Sequence, residues 1–275
     1  MKTILVPTDL SALTHNALAV AVTLARPLGA NIMLLHSVVY PLPMPAYAES
    51  LGSTINCTLD TYLDLEQDAR ETLCRLADNP AYADVTIHPV LLTNGQGLIN
   101  NVTDQPADLI VMASEGASGL NEWLVGSNAE AFVRYAHCPV LVIKKPVAHF
   151  QPKHIVCAID VDERLKAIHP YPFQLGEEGL SQFLYVMTPT DNRDPAGVRD
   201  WVDVFALHKG ISHYSFVIRP AKTVPEGIIS HANKVGADLI VLYTHGHTGL
   251  RHLFSGSVAE DVLNHADIPV LIMRM

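Results

Sequence analysis

The sequence predicts an α/β protein made of two tandem doubly wound domains, and three observations carry that prediction. The second half repeats the first: Ala107-Asp108-Leu109-Ile110-Val111 returns as Ala237-Asp238-Leu239-Ile240-Val241, 130 positions later. Gly116, Gly119-Leu120, Gly126-Ser127, Ala129-Glu130 and Pro139-Val140-Leu141 return at the same offset. A match held in register through a Gly-rich loop marks a duplicated module, so any site is expected twice. The strand-like runs are continuously apolar rather than alternating, as in strands buried on both faces. Segments of helical period separate them, as in a parallel sheet with helices on both faces.

The elements follow in order. In the first half, strands are expected at Thr3 to Pro7, Ile32 to Val38, Thr86 to Leu92, Leu109 to Ala113 and Val140 to Ile143. Between them lie a helix from Ser11 to Leu28 with Leu13, Ala17, Val20, Ala21 and Leu24 on its apolar side, a Pro- and Tyr-rich loop from Val39 to Thr54, and a charged helix from Asp60 to Asp78. Further helices start at Gly97 and Asn128. The second half places strands at His154 to Ile159, Gln182 to Met187, Tyr214 to Ile218, Leu239 to Tyr243 and Val270 to Met273. Its first helix carries Pro170 and Pro172, which remove backbone donors, so a broken or short helix is expected. The domains are therefore assigned to 1–145 and 154–275, with a linker containing Pro146 and Pro152.

Composition bounds the function. A chain of 275 residues, 49% hydrophobic and 17% charged, is core-forming and long enough for two domains. A net charge of −10 argues against nucleic acid or an anionic membrane as partner. The four cysteines show no metal or disulfide spacing, and no signal peptide or spanning segment is visible, so a cytoplasmic protein is expected.

In an open parallel sheet, ligands bind beyond the carboxyl ends of the strands, where strand order reverses. Gly-rich loops follow the fourth strand of each half: Ala113-Ser114-Glu115-Gly116 with Gly126-Ser127-Asn128, and Tyr243-Thr244-His245-Gly246 with Gly256-Ser257-Val258. Glycines admit close backbone approach, and a helix start favours an anion. Ser127 with Glu130 and Ser257 with Glu260 also fit capping boxes, which would account for the same residues structurally. Aspartates at the ends of the first strands, Asp9 and Asp160, lie on the same sheet edge and favour the binding reading.

With Val6-Pro7-Thr8-Asp9, the Asp-Leu-Ile-Val strand, the closing Pro-Val-Leu strand and a loop that follows the G-x2-G-x9-G-S/T motif except that Ala113 and Tyr243 replace its first glycine, the chain resembles the universal stress protein family in its tandem form. The resemblance implies five-stranded parallel sheets of order 3-2-1-4-5, last strands paired with each other, and ATP or AMP as ligand, with room for Mg. Transferred to this sequence, it places Pro7, Thr8, Asp9 and Ser37 at the adenine and ribose end. Ala113, Ser114, Gly116, Ala117, Gly126, Ser127 and Asn128 would surround the phosphates. In the second half it implies Ala158, Asp160, Val186, Tyr243, Gly246, His247, Gly256, Ser257 and Val258. The partners implied are an adenine nucleotide, a second copy in a homodimer, and a regulatory protein.

The two sites differ. Glu115 and Glu122 stand in a first-half loop that contains no Lys or Arg, which disfavours a triphosphate. His245, His247, Arg251 and His252 enrich the second loop, but Tyr243 replaces a glycine and its ring is expected to fill phosphate or ribose space. The first half is therefore expected to hold the better adenine pocket. His245, His247 and His252 read as polar loop residues before a metal cluster, Trp123 and Trp201 as packing residues, and the misplaced His245-Gly246-His247 is set aside as a nucleotidyltransferase element. No nucleophile elbow or Walker A lysine is present, so binding in stress regulation is expected rather than catalysis. The rivals are a scaffold or apolar-ligand carrier that has lost nucleotide, and a weak ATP hydrolase.

Overall fold

The computed structural model describes residues 2–38, 51–94, 97–114, 132–147, 150–167, 171–173, 180–244 and 258–274. The first half supplies strands β1 (Thr3–Pro7), β2 (Asn31–Ser37), β3 (Ile87–Leu92), β4 (Leu109–Ala113) and β5 (Val140–Ile143). The second supplies β6 (His154–Ala158), β7 (Leu180–Met187), β8 (Tyr214–Pro220), β9 (Leu239–Thr244) and β10 (Val270–Arg274). All ten form one sheet of order β3-β2-β1-β4-β5-β10-β9-β6-β7-β8. Each half is thus a parallel sheet read 3-2-1-4-5 in its own numbering, reversing direction between its first and fourth strands.

The halves meet at β5 and β10, which pair antiparallel with Val140 opposite Ile272, Leu141 opposite Leu271 and Val142 opposite Val270. Leu141 and Leu271 occupy the same position of the repeat, so a pseudo-twofold axis passes between them. Because β5 runs against β10, the residues that lead into β5 lie at the edge where β9 and β10 end.

Among the described residues the helices are α1 (Ala12–Leu28), α2 (Leu51–Ala77), α3 (Leu98–Thr103), α4 (Pro195–His208), α5 (Val224–Val235) and α6 (Val258–His265). Residues from α1, α2 and α4 cover one face of the sheet, packing Leu18, Leu73 and Phe205 onto Val111, Leu141, Val241 and Leu271. Residues from α3, α5, α6 and the helical turn at 132–135 cover the other, packing Val102, Ile228, Leu263 and Phe132 onto Ile110, Val140, Ile240 and Val270. Buried on both faces, the strands need no polar alternation, which is why they read as unbroken apolar runs.

The repeated motif has a structural share. Asp108 accepts hydrogen bonds from the backbone N–H groups of Lys2 (2.7 Å) and Thr3 (2.9 Å), and Asp238 accepts from Lys153 and His154 (3.0 Å each). Each aspartate ties the start of its fourth strand to that of the first. Those bonds hold the Asp108 carboxyl below its ordinary pKa.

Two expectations are adjusted. Helix α2 begins at Leu51 rather than Asp60, because the charged face that marks it in the sequence covers only its later turns; residues 39–50 of the expected loop lie outside the described residues. Among the described residues between β6 and β7, the second half has the 3-10 turn Glu163–Ala167, ahead of the prolines. Residues 168–170 and 174–179 lie outside the described residues.

Candidate functional site

At the carboxyl edge of the second half, where β6 and β9 diverge to opposite sides, a cavity of about 500 Å³ opens. Its floor is apolar: Ala158 from β6, Val186 from β7, Leu242 from β9, and Val224, Ile228 and Leu263 from α5 and α6. Ala158, Asp160, Val186, Tyr243 and Val258, all picked out by the sequence, line this one cavity. Gly246, His247, Gly256 and Ser257 lie outside the described residues, as do His245, Arg251 and His252.

Tyr243 lines the cavity from β9. Residues on β9 alternate between faces, and its ring packs edge-on against Phe205 of α4 (centroids 6.0 Å apart), while its hydroxyl bonds that of Tyr171 at 2.6 Å. That contact lies on the face covered by α4, where Ile159 and Leu165, which also line the cavity, belong to the same apolar cluster. Burial raises both phenols well above their ordinary pKa and pushes the nearby Cys157 thiol up to about 12, so none of the three is a ready proton donor or nucleophile at neutral pH.

One wall carries a polar cluster that the sequence did not reveal. Arg193 Nη1 donates to the Tyr185 hydroxyl at 2.7 Å and lies 3.2 Å from Asp160 Oδ1, and Tyr185 donates to Asp191 Oδ2 at 2.5 Å. Burial and the Asp191 bond together push the Tyr185 phenol up to about 12, and the Tyr185 bond holds Asp191 below its ordinary range. Asp160 also accepts from the Val161 N–H at 2.7 Å. Arg193 and Asp191 sit in the loop after β7, a stretch with no counterpart motif in the first half, so no repeat signal could have found them. Thr244 lines the same cavity, and its Oγ1 is buried without a hydrogen-bond partner among the described residues.

The first-half positions are partly described. Thr8 is 1% exposed, and its hydroxyl is spent on a turn, bonding Thr14 Oγ1 (2.8 Å) and accepting from the Leu10 N–H (2.9 Å). Asp9 Oδ1 accepts from the Ser11 N–H at 2.9 Å, and Leu10 takes the left-handed conformation at φ +67°. His36 Nδ1 donates to the Thr8 carbonyl at 2.7 Å, and Ser37 Oγ accepts from Asn101 Nδ2 at 2.8 Å. Ser11 Oγ and His15 Nε2 are buried without partners. Pro7 ends β1, Ala113 ends β4 and Ser114 follows, buried, with its N–H on the Ile143 carbonyl. Gly116, Ala117, Gly126, Ser127 and Asn128 lie outside the described residues, as do Glu115, Glu122 and Trp123. Trp201 packs as expected, stacked on Phe205 at 5.3 Å.

Among the described residues no group of His, Cys, Asp or Glu is arranged to hold a metal ion, and no helix is long and apolar enough to cross a membrane.

The fold and the cavity define a doubly wound α/β protein with a ligand-sized site at its topological switch point. The model of the universal stress protein family matches residues 1–144 and 212–274, and the chain belongs to that family. It is 31% identical over 147 residues to Universal stress protein MJ0531 of Methanocaldococcus jannaschii, covering 53% of this chain and 83% of the relative. It is 25% identical to Universal stress protein Slr1230 of Synechocystis sp. over the full length of both. A solved universal stress protein from Archaeoglobus fulgidus shares the fold at a TM-score of 0.63 with 16% identity, covering 99% of this chain and 96% of that one.

Proposed function

We propose that this chain is a cytoplasmic stress-response protein of two domains, 1–145 and 154–275, that binds an adenine nucleotide as a regulatory ligand, and that the second-half cavity is its principal site. The observation that carries this reading is the cavity itself: about 500 Å³ at the switch point, with an apolar slot for a flat base and hydroxyl, carboxylate and guanidinium groups at its walls. Ala158 and Val186 would flank the base, Asp160 and Tyr185 the ribose, and Thr244 with the loop that follows it the phosphates. The unpartnered Thr244 hydroxyl supports this assignment, because a buried donor without an acceptor costs about 1–3 kcal/mol unless a ligand answers it.

The site preference is thereby moved from the first half to the second. Tyr243 and the first helix interrupted by Pro170 and Pro172 were the grounds for discounting the second half, and the Tyr243 ring packs edge-on against Phe205. The residues proposed bind and orient; none is assigned a catalytic role.

Native mass spectrometry of the purified protein, followed by calorimetry with AMP, ATP and adenosine, tests the reading. Val258, 36% exposed at the start of α6, lines the cavity and can be enlarged without loss of core packing, so Val258→Trp should abolish binding while leaving the fold intact. Nucleotide binding that survives Val258→Trp would return the site to the first half, where Ser11 and His15 offer unpartnered groups. A protein that neither carries nor binds adenine nucleotide would favour the apolar-ligand reading, for which the six apolar side chains of the floor speak.

A further inference from the structure

The cavity runs along the sheet from the loop after β7, which brings Asp191 and Arg193, to the pseudo-twofold axis, where Val133 and Arg134 from ahead of β5 line it beside α6. At the β7 end the polar groups hold one another in place. The Tyr185 hydroxyl donates to Asp191 and accepts from Arg193 Nη1, so it orients the guanidinium and has no proton left for a ligand. The guanidinium carbon also stands 6.0 Å over the centre of the Tyr185 ring. Its polar contacts with Tyr185, Asp160 and Asp191 are all made through Nη1. Among the described residues the Nε and Nη2 edge carries no hydrogen bond or ion pair. Asp160 is held in the same one-sided way. Its Oδ1 accepts from the Val161 N–H and faces Arg193, while Oδ2 carries no hydrogen bond among the described residues. A free donor edge therefore stands beside a free acceptor, with Nη1 and Oδ1 3.2 Å apart.

We propose that Arg193 is a specificity-determining residue of the second-half site, and that with Asp160 it takes the two neighbouring hydroxyls of a vicinal diol, the 2′ and 3′ positions of a ribose. The inference rests on the nucleotide reading above and adds the sugar that the site selects. Charge favours a neutral group at this end: Asp162 is paired with Arg164, and the two carboxylates of Asp160 and Asp191 face the single guanidinium of Arg193, a balance that repels phosphate. A hydroxyl has one proton to give and lone pairs to receive. One hydroxyl of the diol donates to Asp160 Oδ2 while its neighbour accepts from the Arg193 edge, both charge-assisted bonds. A 2′-deoxyribose answers only one of the two. Both side chains are reached by water (47% and 65% exposed), which softens the loss. The discrimination is then about tenfold rather than the ~10⁴-fold of a sealed site. Tyr185 and Asp191 act as positioning residues.

The first half has no such pair. Asp9 stands where the second half has Asp160, but residues 38–54, which follow β2, contain no Lys or Arg. The selection of a diol therefore belongs to the second half.

Calorimetry with AMP and 2′-deoxy-AMP on the parent, Arg193→Ala, Arg193→Lys and Tyr185→Phe tests this, with thermal melts as the check on folding. The parent should bind AMP at least about tenfold more tightly than 2′-deoxy-AMP. Arg193→Ala should bring the two within about threefold, mainly by weakening AMP. Arg193→Lys, which keeps the charge and loses the fork, should fall between them, and Tyr185→Phe should narrow the ratio while the guanidinium remains. If the alanine variant does not fold, the lysine and phenylalanine variants decide the matter through the same ratio. A parent that binds AMP without preferring it, or an Arg193→Ala variant that keeps the parent's preference, would overturn the inference and leave the nucleotide reading standing. A parent that binds neither ligand would overturn both.

Discussion

Leu141 lies directly opposite Leu271 in the antiparallel pair that joins the two halves, and the two residues are the same position of the repeat. Both are fully buried. A contact between equivalent positions is what an isologous interface produces at its axis, here closed within one chain.

That contact should show as energetic coupling. Leu141→Ala and Leu271→Ala are each expected to cost about 2–5 kcal/mol, as buried leucines do on truncation. The double variant should depart from additivity by about 0.5 kcal/mol or more, because the two share a cavity. Strict additivity in urea melts would mean that the two halves are energetically separate despite the continuous sheet.

Gly227 in α5 faces the end of β7. A Cβ built there would stand 2.5 and 2.9 Å from the two Val186 methyls and 3.0 Å from Ala221 Cβ. Removing a helix-interior glycine is worth up to about 1 kcal/mol, but overpacking of this kind costs about 1–3 kcal/mol, so Gly227→Ala should be destabilising on balance. Val186 lines the cavity, so ligand affinity should fall with stability. A variant that melts higher and binds as well as the parent would contradict the packing seen here.

His231 is 3% exposed, with Nε2–H donating to Gln182 Oε1, and Gln182 in turn donating to Ser215 Oγ at 3.0 Å. Its Nδ1 accepts from Arg219 Nε at 3.3 Å. Burial, then Arg219 and Lys234, hold its pKa below the usual 6.5. The unfolded chain therefore takes up a proton that the folded one refuses, so this stability is present above pH 6.5 and is lost as pH falls below it. His231→Gln should lose less stability than the parent between pH 7.5 and pH 5.5 in urea melts. Equal slopes would show that the imidazole is not the titrating group.

Lys144, just past β5, is 8% exposed, and burial lowers its pKa to about 8 against the attraction of Asp267. Below pH 8 the folded protein carries the full cost of a buried ammonium, and the cost is relieved as pH rises toward 10.5. Lys144→Met should therefore raise the Tm at pH 7, with the gain shrinking by pH 10. A variant less stable than the parent at pH 7 would mean that the ammonium is well partnered where it lies.

The sequence by itself determined the duplication, the strands and the sheet edge on which a ligand would sit. These are local or periodic properties: β1, β4 and β5 are legible as unbroken apolar runs because a strand covered on both faces has no polar side to show. The family resemblance carried by its motifs also pointed to Ala158, Asp160, Val186, Tyr243 and Val258, and the fold brings these five to the lining of one cavity. What it could not show was the direction of a ring. Tyr243 replaces a glycine by position, but the alternation of β9 turns it toward Phe205, and only the packed sheet shows which face that is. What it could not supply was Arg134 and Arg193, since one reaches the cavity across the pseudo-twofold axis and the other from an unrepeated loop. Composition at a site is written along the chain, whereas the meeting of two distant segments depends on the antiparallel pairing of β5 with β10, a relation fixed only when both halves have folded.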